Sequence, residues 1–223
     1  MGKLIVIDGV DGSGKQTQTR RLEEYLKENG VNCLRVDFPR YGQKSSTLVE
    51  GYLHGELGGK PDDTGAYASS LFYAMDRYWS YRTDEWGKLY NEGGTVICDR
   101  YTTANAIHQC AKLPDNERDG FLEWLWDIEY EKIGIPKPDK IIFLDMEPSV
   151  YEKLIDRRAT ADDRKKDIHE LDRDYLLRSY HAALYACEKL GWEHIKCFEN
   201  SEPRNKDAIF ADILSAIGEI TNQ

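Results

Sequence analysis

The 223-residue chain predicts an α/β fold, a parallel five-stranded sheet with helices on both faces. Three observations predict it. Short apolar runs of strand length alternate with longer stretches of helical period, the pattern of a parallel sheet covered on both sides. The first run ends in a glycine-rich turn that opens a helix. That helix stops at Asn29-Gly30 and a second strand follows at once, completing a β-loop-α-β unit.

Residues 4–8 (Leu-Ile-Val-Ile-Asp) form the first predicted strand. In the helix that follows, Leu22, Tyr25 and Leu26 fall at i, i+3, i+4 and share one face. Residues 32–38 read as the second strand, and 95–98, 140–144 and 193–198 as the remaining three. Helical stretches are expected around 47–57, 65–90, 104–111, 117–133, 150–158, 171–190 and 207–220. Gly58-Gly59-Lys60-Pro61 and Lys137-Pro138 punctuate loops, so residues 1–223 read as a single domain without repeats.

Composition narrows the function. Hydrophobic residues make up 40% and charged residues 31%, which excludes a disordered chain. No apolar stretch approaches the roughly 18 residues of a membrane span. A net charge of −10 argues against a nucleic-acid backbone as partner, yet leaves room for a locally basic pocket. Residues 1–8 carry no small-residue cleavage site, so no signal peptide is expected. The five cysteines are odd in number and lack a CxxC pair, so reduced thiols and a cytoplasmic location are expected.

The strongest chemical signal is Gly9-Val10-Asp11-Gly12-Ser13-Gly14-Lys15, directly after the first strand and opening the first helix. Glycines let successive backbone N–H groups turn inward, the helix N-terminus adds positive potential, and Lys15 supplies an ammonium; together they hold a polyphosphate. The motif ordinarily ends in a Mg²⁺-ligating Ser or Thr, whereas here Gln16 takes that place and Thr17 follows. A glutamine amide oxygen can reach the metal or its water less compactly. The third strand ends Cys98-Asp99-Arg100-Tyr101. Asp99 stands where such folds hold Mg²⁺ through water, and Arg100 offers a planar fork for a phosphate. An ordinary Asp-Arg ion pair is the plain alternative. Tyr73 and Arg77 are four apart and share a helix face, able to stack on a flat base and bond its carbonyl. A core aromatic beside a surface arginine would give the same spacing; Phe72 is expected to face the core. Residues 157–170 crowd Arg157, Arg158 and Arg164 among acids, either a solvated face or a phosphate-closing lid.

Taken in order and spacing, the loop at 9–15, Phe38-Pro39-Arg40-Tyr41-Gly42, Tyr73–Arg77, Asp99-Arg100-Tyr101 and the late arginine-rich segment resemble the thymidylate kinases, over nearly the whole chain. Gly12-Ser13 and the arginines at 157, 158 and 164 resemble the bacterial type, whose lid rather than loop carries the arginines. The resemblance implies a P-loop NTPase fold with a short lid near 157–170, ATP and dTMP as substrates, Mg²⁺, and a homodimer. It implies that Gly9, Asp11, Gly12, Ser13, Gly14, Lys15, Gln16 and Thr17 bind ATP together with Arg157 and Arg158. Asp11 would approach the acceptor's 3′-hydroxyl, Tyr73 would stack on the base, and Arg77 would read its O4 carbonyl. Asn105 and Gln109 would touch the base; Phe38, Phe72, Arg40 and Tyr41 would line the acceptor pocket. Lys15, Arg100, Arg164 and Asp11 would carry catalysis. Asp99, Gln16 and Glu170 are the implied metal residues, and the loop near 200–204 would hold adenine. His108 and His169 stand where related bacterial enzymes place tyrosines around the sugar, which leaves ribose selection open.

Two other readings follow from the same residues. A kinase for another pyrimidine monophosphate such as dUMP fits the two histidines, and a non-catalytic nucleotide binder fits Gln16. A GTPase lacks its Asn-Lys-x-Asp segment, and a deoxynucleoside kinase lacks a glutamate after the second strand. Packed helices near 71–90 and 121–130 could join two subunits, or their tryptophans (79, 86, 124, 126) could simply fill the core.

Overall fold

A computed structural model describes residues 1–10, 12–151 and 167–221. The elements run β1 (Lys3–Gly9), α1 (Lys15–Glu28), β2 (Cys33–Asp37), α2 (Thr47–Leu53), α3 (Ala66–Thr83), α4 (Glu85–Asn91), β3 (Thr95–Asp99), α5 (Thr102–His108) and α6 (Arg118–Trp126). Then follow β4 (Lys140–Asp145), α7 (Arg173–Leu190), β5 (Glu193–Lys196) and α8 (Lys206–Thr221). Among the described residues the main sheet has five strands in the order β2-β3-β1-β4-β5, all parallel.

The apolar runs form central strands because both of their faces are covered. Ile5 and Ile7 of β1 face α1 and α8, where Leu22, Leu26, Ile213 and Ile217 meet them. Leu4 and Val6 point the other way, toward Trp86 and Tyr90 of α4. Phe143 of β4 packs on α5, α6 and α7. The edge strands are less apolar: Arg35 in β2 pairs with Asp37, and β5 carries Glu193, His194 and Lys196. No described helix is long and apolar enough to cross a membrane.

Several boundaries differ from the sequence reading. The expected helix over 65–90 breaks at Asp84, which is extended and accepts hydrogen bonds from Ser80 and from Arg40. The break lets α4 fold back, with Gly87 so close to the Tyr81 carbonyl that a Cβ would come within 1.9 Å of it. The helix over 117–133 is α-helical only to Trp126; Asp127–Ile133 is π-helical, and Glu129 is buried within it. The lid expected at 157–170 lies outside the described residues up to 166. Of the tryptophans, Trp86 is core, whereas Trp79 is 53% exposed.

Candidate active site

The carboxyl ends of β1 and β3 lie side by side, with Ile7 in register with Asp99. Their following loops therefore open on the same cleft, the place where open α/β sheets bind ligands. The cleft measures about 580 Å³ and runs continuously from residues 12–18 to Tyr73, Arg77, Asn105 and Gln109.

At the first end, Gly14 caps α1 in the left-handed conformation (φ 90°) and Gly12 is also left-handed (φ 75°). The first turn of α1 thus presents its N–H groups to the cleft, with the positive end of the helix behind them. The Lys15 ammonium donates to the Gly9 and Val10 carbonyls at 2.8 and 2.9 Å, folded over the loop it would share with an anion. Asp8 stiffens the strand end, accepting from the Gly9 N–H and from Thr103. A side chain at Gly12 would strain the backbone and collide with the Tyr151 ring. Gly12→Ala is expected to weaken nucleoside triphosphate binding about tenfold, from the ~1–2 kcal/mol left-handed penalty. Gly120→Ala, where a Cβ meets open space, is the neutral control; calorimetric titration of both checks this.

Between the two ends stand Asp99 and Arg100. Asp99 is buried, no described group hydrogen-bonds its carboxylate, and burial raises its pKa against the opposing pull of Lys15 and Arg100. Arg100 adopts φ 65°, a conformation unfavourable for a side-chain-bearing residue, and its N–H is held by the Ile7 carbonyl at 3.1 Å. Such strain persists where the surroundings enforce it, often at functional positions. Its Nη1 lies 2.8 Å from His108 Nε2. Because a guanidinium only donates, His108 Nε2 must accept, so this imidazole is neutral with its proton on Nδ1. His108 stacks on His169, ring centroids 5.6 Å apart.

At the far end, Arg77 is fully buried and forms a two-pronged pair with Glu129, Nε to Oε2 at 2.7 Å and Nη2 to Oε1 at 2.5 Å. Nη1 donates to the Tyr101 carbonyl. Burial opposes the Arg77 charge, but Glu129 more than offsets it and the pKa rises. Three of five N–H groups are used, leaving two at the cleft wall. Asn105 gives both Nδ2 protons away, to the Ser70 carbonyl and to Glu129, each at 3.1 Å, so Oδ1 is its group for a ligand. Half-buried Tyr73 flanks this edge, and burial pushes its hydroxyl well above the usual range.

Most of the sequence-derived residues come together here. Gly12, Ser13, Gly14, Lys15, Gln16, Thr17, Phe38, Tyr41, Tyr73, Arg77, Asp99, Arg100, Asn105, His108, Gln109 and His169 all line the cleft. Gly9 anchors the loop beneath it. Two expected pocket residues are placed elsewhere. Phe72 packs with Val49, Tyr52 and Leu53, off the cleft, because its neighbour Tyr73 takes the inward position on α3. The Arg40 side chain is drawn away by Asp84 at 3.0 Å, and Tyr41 lines the cleft instead. Asp11, Arg157, Arg158, Arg164 and the Glu170 side chain lie outside what is described. Glu129 was missed by the sequence reading; its signal was an acid at i+7 from Leu122 and i+4 from Leu125, on the apolar face of the helix. Pro203, Arg204 and Lys206 complete the loop-side wall, of which only the stretch near 200–204 was expected.

The family model described as thymidylate kinase matches residues 7–202. A thymidylate kinase of Mycobacterium tuberculosis is 33% identical over 185 residues, spanning 82% of this chain and 84% of that protein. The human thymidylate kinase is 28% identical over 206 residues, spanning 92% and 87%. A solved structure of thymidylate kinase from Candida albicans matches with a TM-score of 0.68 at 18% identity, covering 99% of this chain and 93% of that one. At that identity the likeness speaks for the fold.

Proposed function

The chain belongs to the thymidylate kinase family, and on that premise we propose that it transfers the γ-phosphoryl group of ATP to dTMP, giving ADP and dTDP. One observation carries the reading: a single cleft joins a phosphate loop to an edge that donates at Arg77 and accepts at Asn105 Oδ1. Thymine offers the complement, an O4 acceptor beside an N3–H donor. Cytosine offers the reverse at both atoms. Uracil presents the same edge as thymine, so the cleft also supports dUMP as an alternative acceptor.

In the transfer, a phosphate oxygen of dTMP forms the new bond to the γ-phosphorus while the β,γ-bridging bond breaks and its electrons leave with ADP. The attacking phosphate is already ionised, so no general base is required. Catalysis then consists of alignment and of cancelling charge on the transferred group. Lys15 and the loop N–H groups hold the donor, Arg100 the acceptor phosphate, with His108 and His169 beside the sugar. From the resemblance, Asp11 approaches the 3′-hydroxyl and Arg157, Arg158 and Arg164 close over the phosphates.

The residues present also fit Mg²⁺. Asp99 offers a carboxylate that no group among the described residues hydrogen-bonds, and Gln16 and Thr17 add hard oxygens along the same wall. Among the described residues no cluster of three or more His, Cys, Asp or Glu forms a dedicated cage, as suits an ion carried in on the donor phosphates. When bound, it would neutralise phosphate charge.

The reading extends to assembly and place. Tyr67, Leu71, Met75, Tyr78 and Trp79 form an exposed stripe on α3, between 38% and 53% accessible, suited to a two-fold homodimer. Light scattering is expected to give a dimer mass, and Trp79→Glu a monomer. All five cysteines are free and buried, which suits the cytoplasm.

A panel of monophosphates tests the substrate. With ADP release as readout, dTMP and dUMP should be turned over and dCMP should fall roughly 10³-fold or more in kcat/KM, since it leaves buried polar groups unpaired. Comparable rates for dCMP would remove the base-edge argument.

A further inference from the structure

Lys112 ends the 3₁₀ turn that follows α5 and does not line the cleft. Its ammonium donates to the Tyr52 hydroxyl at 2.9 Å, the Thr64 carbonyl at 2.9 Å and Ser69 Oγ at 3.0 Å. All three of its protons are thereby used, by groups from α2, α3 and the loop between them. Two of these acceptors lead back to the cleft. With Lys112 donating into its oxygen, the Tyr52 proton goes to the nearest acceptor, His169 Nε2 at 2.7 Å, rather than to the Pro61 carbonyl at 3.5 Å. His169 then stacks on His108, which accepts from Arg100. Ser69 Oγ lies 2.7 Å from Gln109 Oε1. A serine has one proton, and with Lys112 on its lone pair that proton goes to the nearest acceptor, Gln109, rather than to the Gly65 carbonyl at 2.9 Å or the Ala66 carbonyl at 3.3 Å. Tied by its oxygen, Gln109 has its Nε2 buried without a partner among the described residues, in the wall of the cleft.

We propose that Lys112 is a positioning residue for the acceptor end of the cleft, fixing His169 through Tyr52 and Gln109 through Ser69 without touching the nucleotide. This rests on the acceptor reading given above. The charge state of Lys112 is adjustable: burial lowers its pKa to about 7, with Asp62 raising it and Arg178 lowering it. Tyr52 faces it from α2 and His169 lies behind Tyr52, while Arg178 of α7 sits over the Tyr175 ring. The protonated form makes three bonds. As pH rises through about 7 one is lost, and Tyr52 or Ser69 loses its donor.

The test is steady-state kinetics at saturating ATP and varied dTMP for the wild type, Lys112→Met, Tyr52→Phe and Ser69→Ala. Lys112→Met is expected to raise KM for dTMP about tenfold, the scale of a charged hydrogen bond, with kcat and KM for ATP within about twofold. Tyr52→Phe and Ser69→Ala should each give part of that rise. The wild-type KM for dTMP should climb between about pH 6 and about pH 8.5 relative to that of Lys112→Met, in which the titrating group is absent. A merely structural lysine would lower melting temperature and active fraction, moving apparent kcat but neither KM nor its pH profile. A folded Lys112→Met with KM within about twofold and a pH profile parallel to wild type overturns the proposal. If that variant fails to fold, unchanged KM in both Tyr52→Phe and Ser69→Ala overturns it instead. A wild type that never forms dTDP overturns the parent reading, and this one with it.

Discussion

Arg100→Ala is expected to cut turnover about 10³-fold, the scale set by removing a cation that stabilises phosphoryl transfer, while ATP binding survives. The side chain sits between the two ends of the cleft beside Asp99, its backbone N–H held by the Ile7 carbonyl and its guanidinium by His108. The phosphate loop is built on its own backbone: Lys15 is folded onto Gly9 and Val10, and the turn runs directly from the end of β1 to the start of α1. Donor affinity should therefore persist when the acceptor clamp is gone. Arg100→Lys should restore little, because a point charge lacks the planar fork that grips two phosphate oxygens. ADP release measured beside calorimetric titration of a non-hydrolysable ATP analogue separates the two quantities. A variant turning over at near wild-type rate would show that Arg100 does not hold the acceptor.

Arg77→Met is expected to be the most destabilising of the site variants. It strands the Glu129 carboxylate, which is 0% exposed, with only the Asn105 amide as its side-chain donor among the described residues. Breaking a buried pair in this way costs roughly 3–5 kcal/mol, or about 10 °C in melting temperature for a domain of this size. The double variant Arg77→Met, Glu129→Leu should recover most of that loss, since an apolar pair can replace a buried ion pair of similar volume. It should not recover dTMP binding. Thermal melts give the first quantity and dTMP titration the second. Full recovery of dTMP affinity in the double variant would mean that Arg77 is scaffold alone.

These two arginines also show what the sequence discloses and what it hides. The place of Arg100 in the cleft wall was legible because strand, carboxylate and fork are contiguous in sequence. The phosphate loop was legible for the same reason, and the alternating apolar runs announced a sheet covered on both faces. Arg77 was legible by its spacing from Tyr73, but its partner was not. Glu129 lies 52 residues away, and although it falls at i+4 from the buried Leu125, nothing local says that this face meets Arg77. The exchange of Arg40 for Tyr41 at the cleft wall was hidden likewise, since Asp84, 44 residues on, decides where Arg40 points. Phe72 and Tyr73 stand about 100° apart on one helix and both pack against the Val49 and Leu53 cluster, yet only Tyr73 lines the cleft, which spacing alone does not decide. The Lys112 network joins α2, α3 and the turn after α5, a convergence that exists only once the chain is folded.

The most direct measurement is a phosphorus NMR time course of the protein with magnesium, ATP and dTMP. The resonances of dTDP and ADP should rise together in equal amounts, with inorganic phosphate staying at background. ATP that persists, or that decays to ADP and inorganic phosphate while dTMP remains intact, would contradict a cleft built to set two nucleotides end to end.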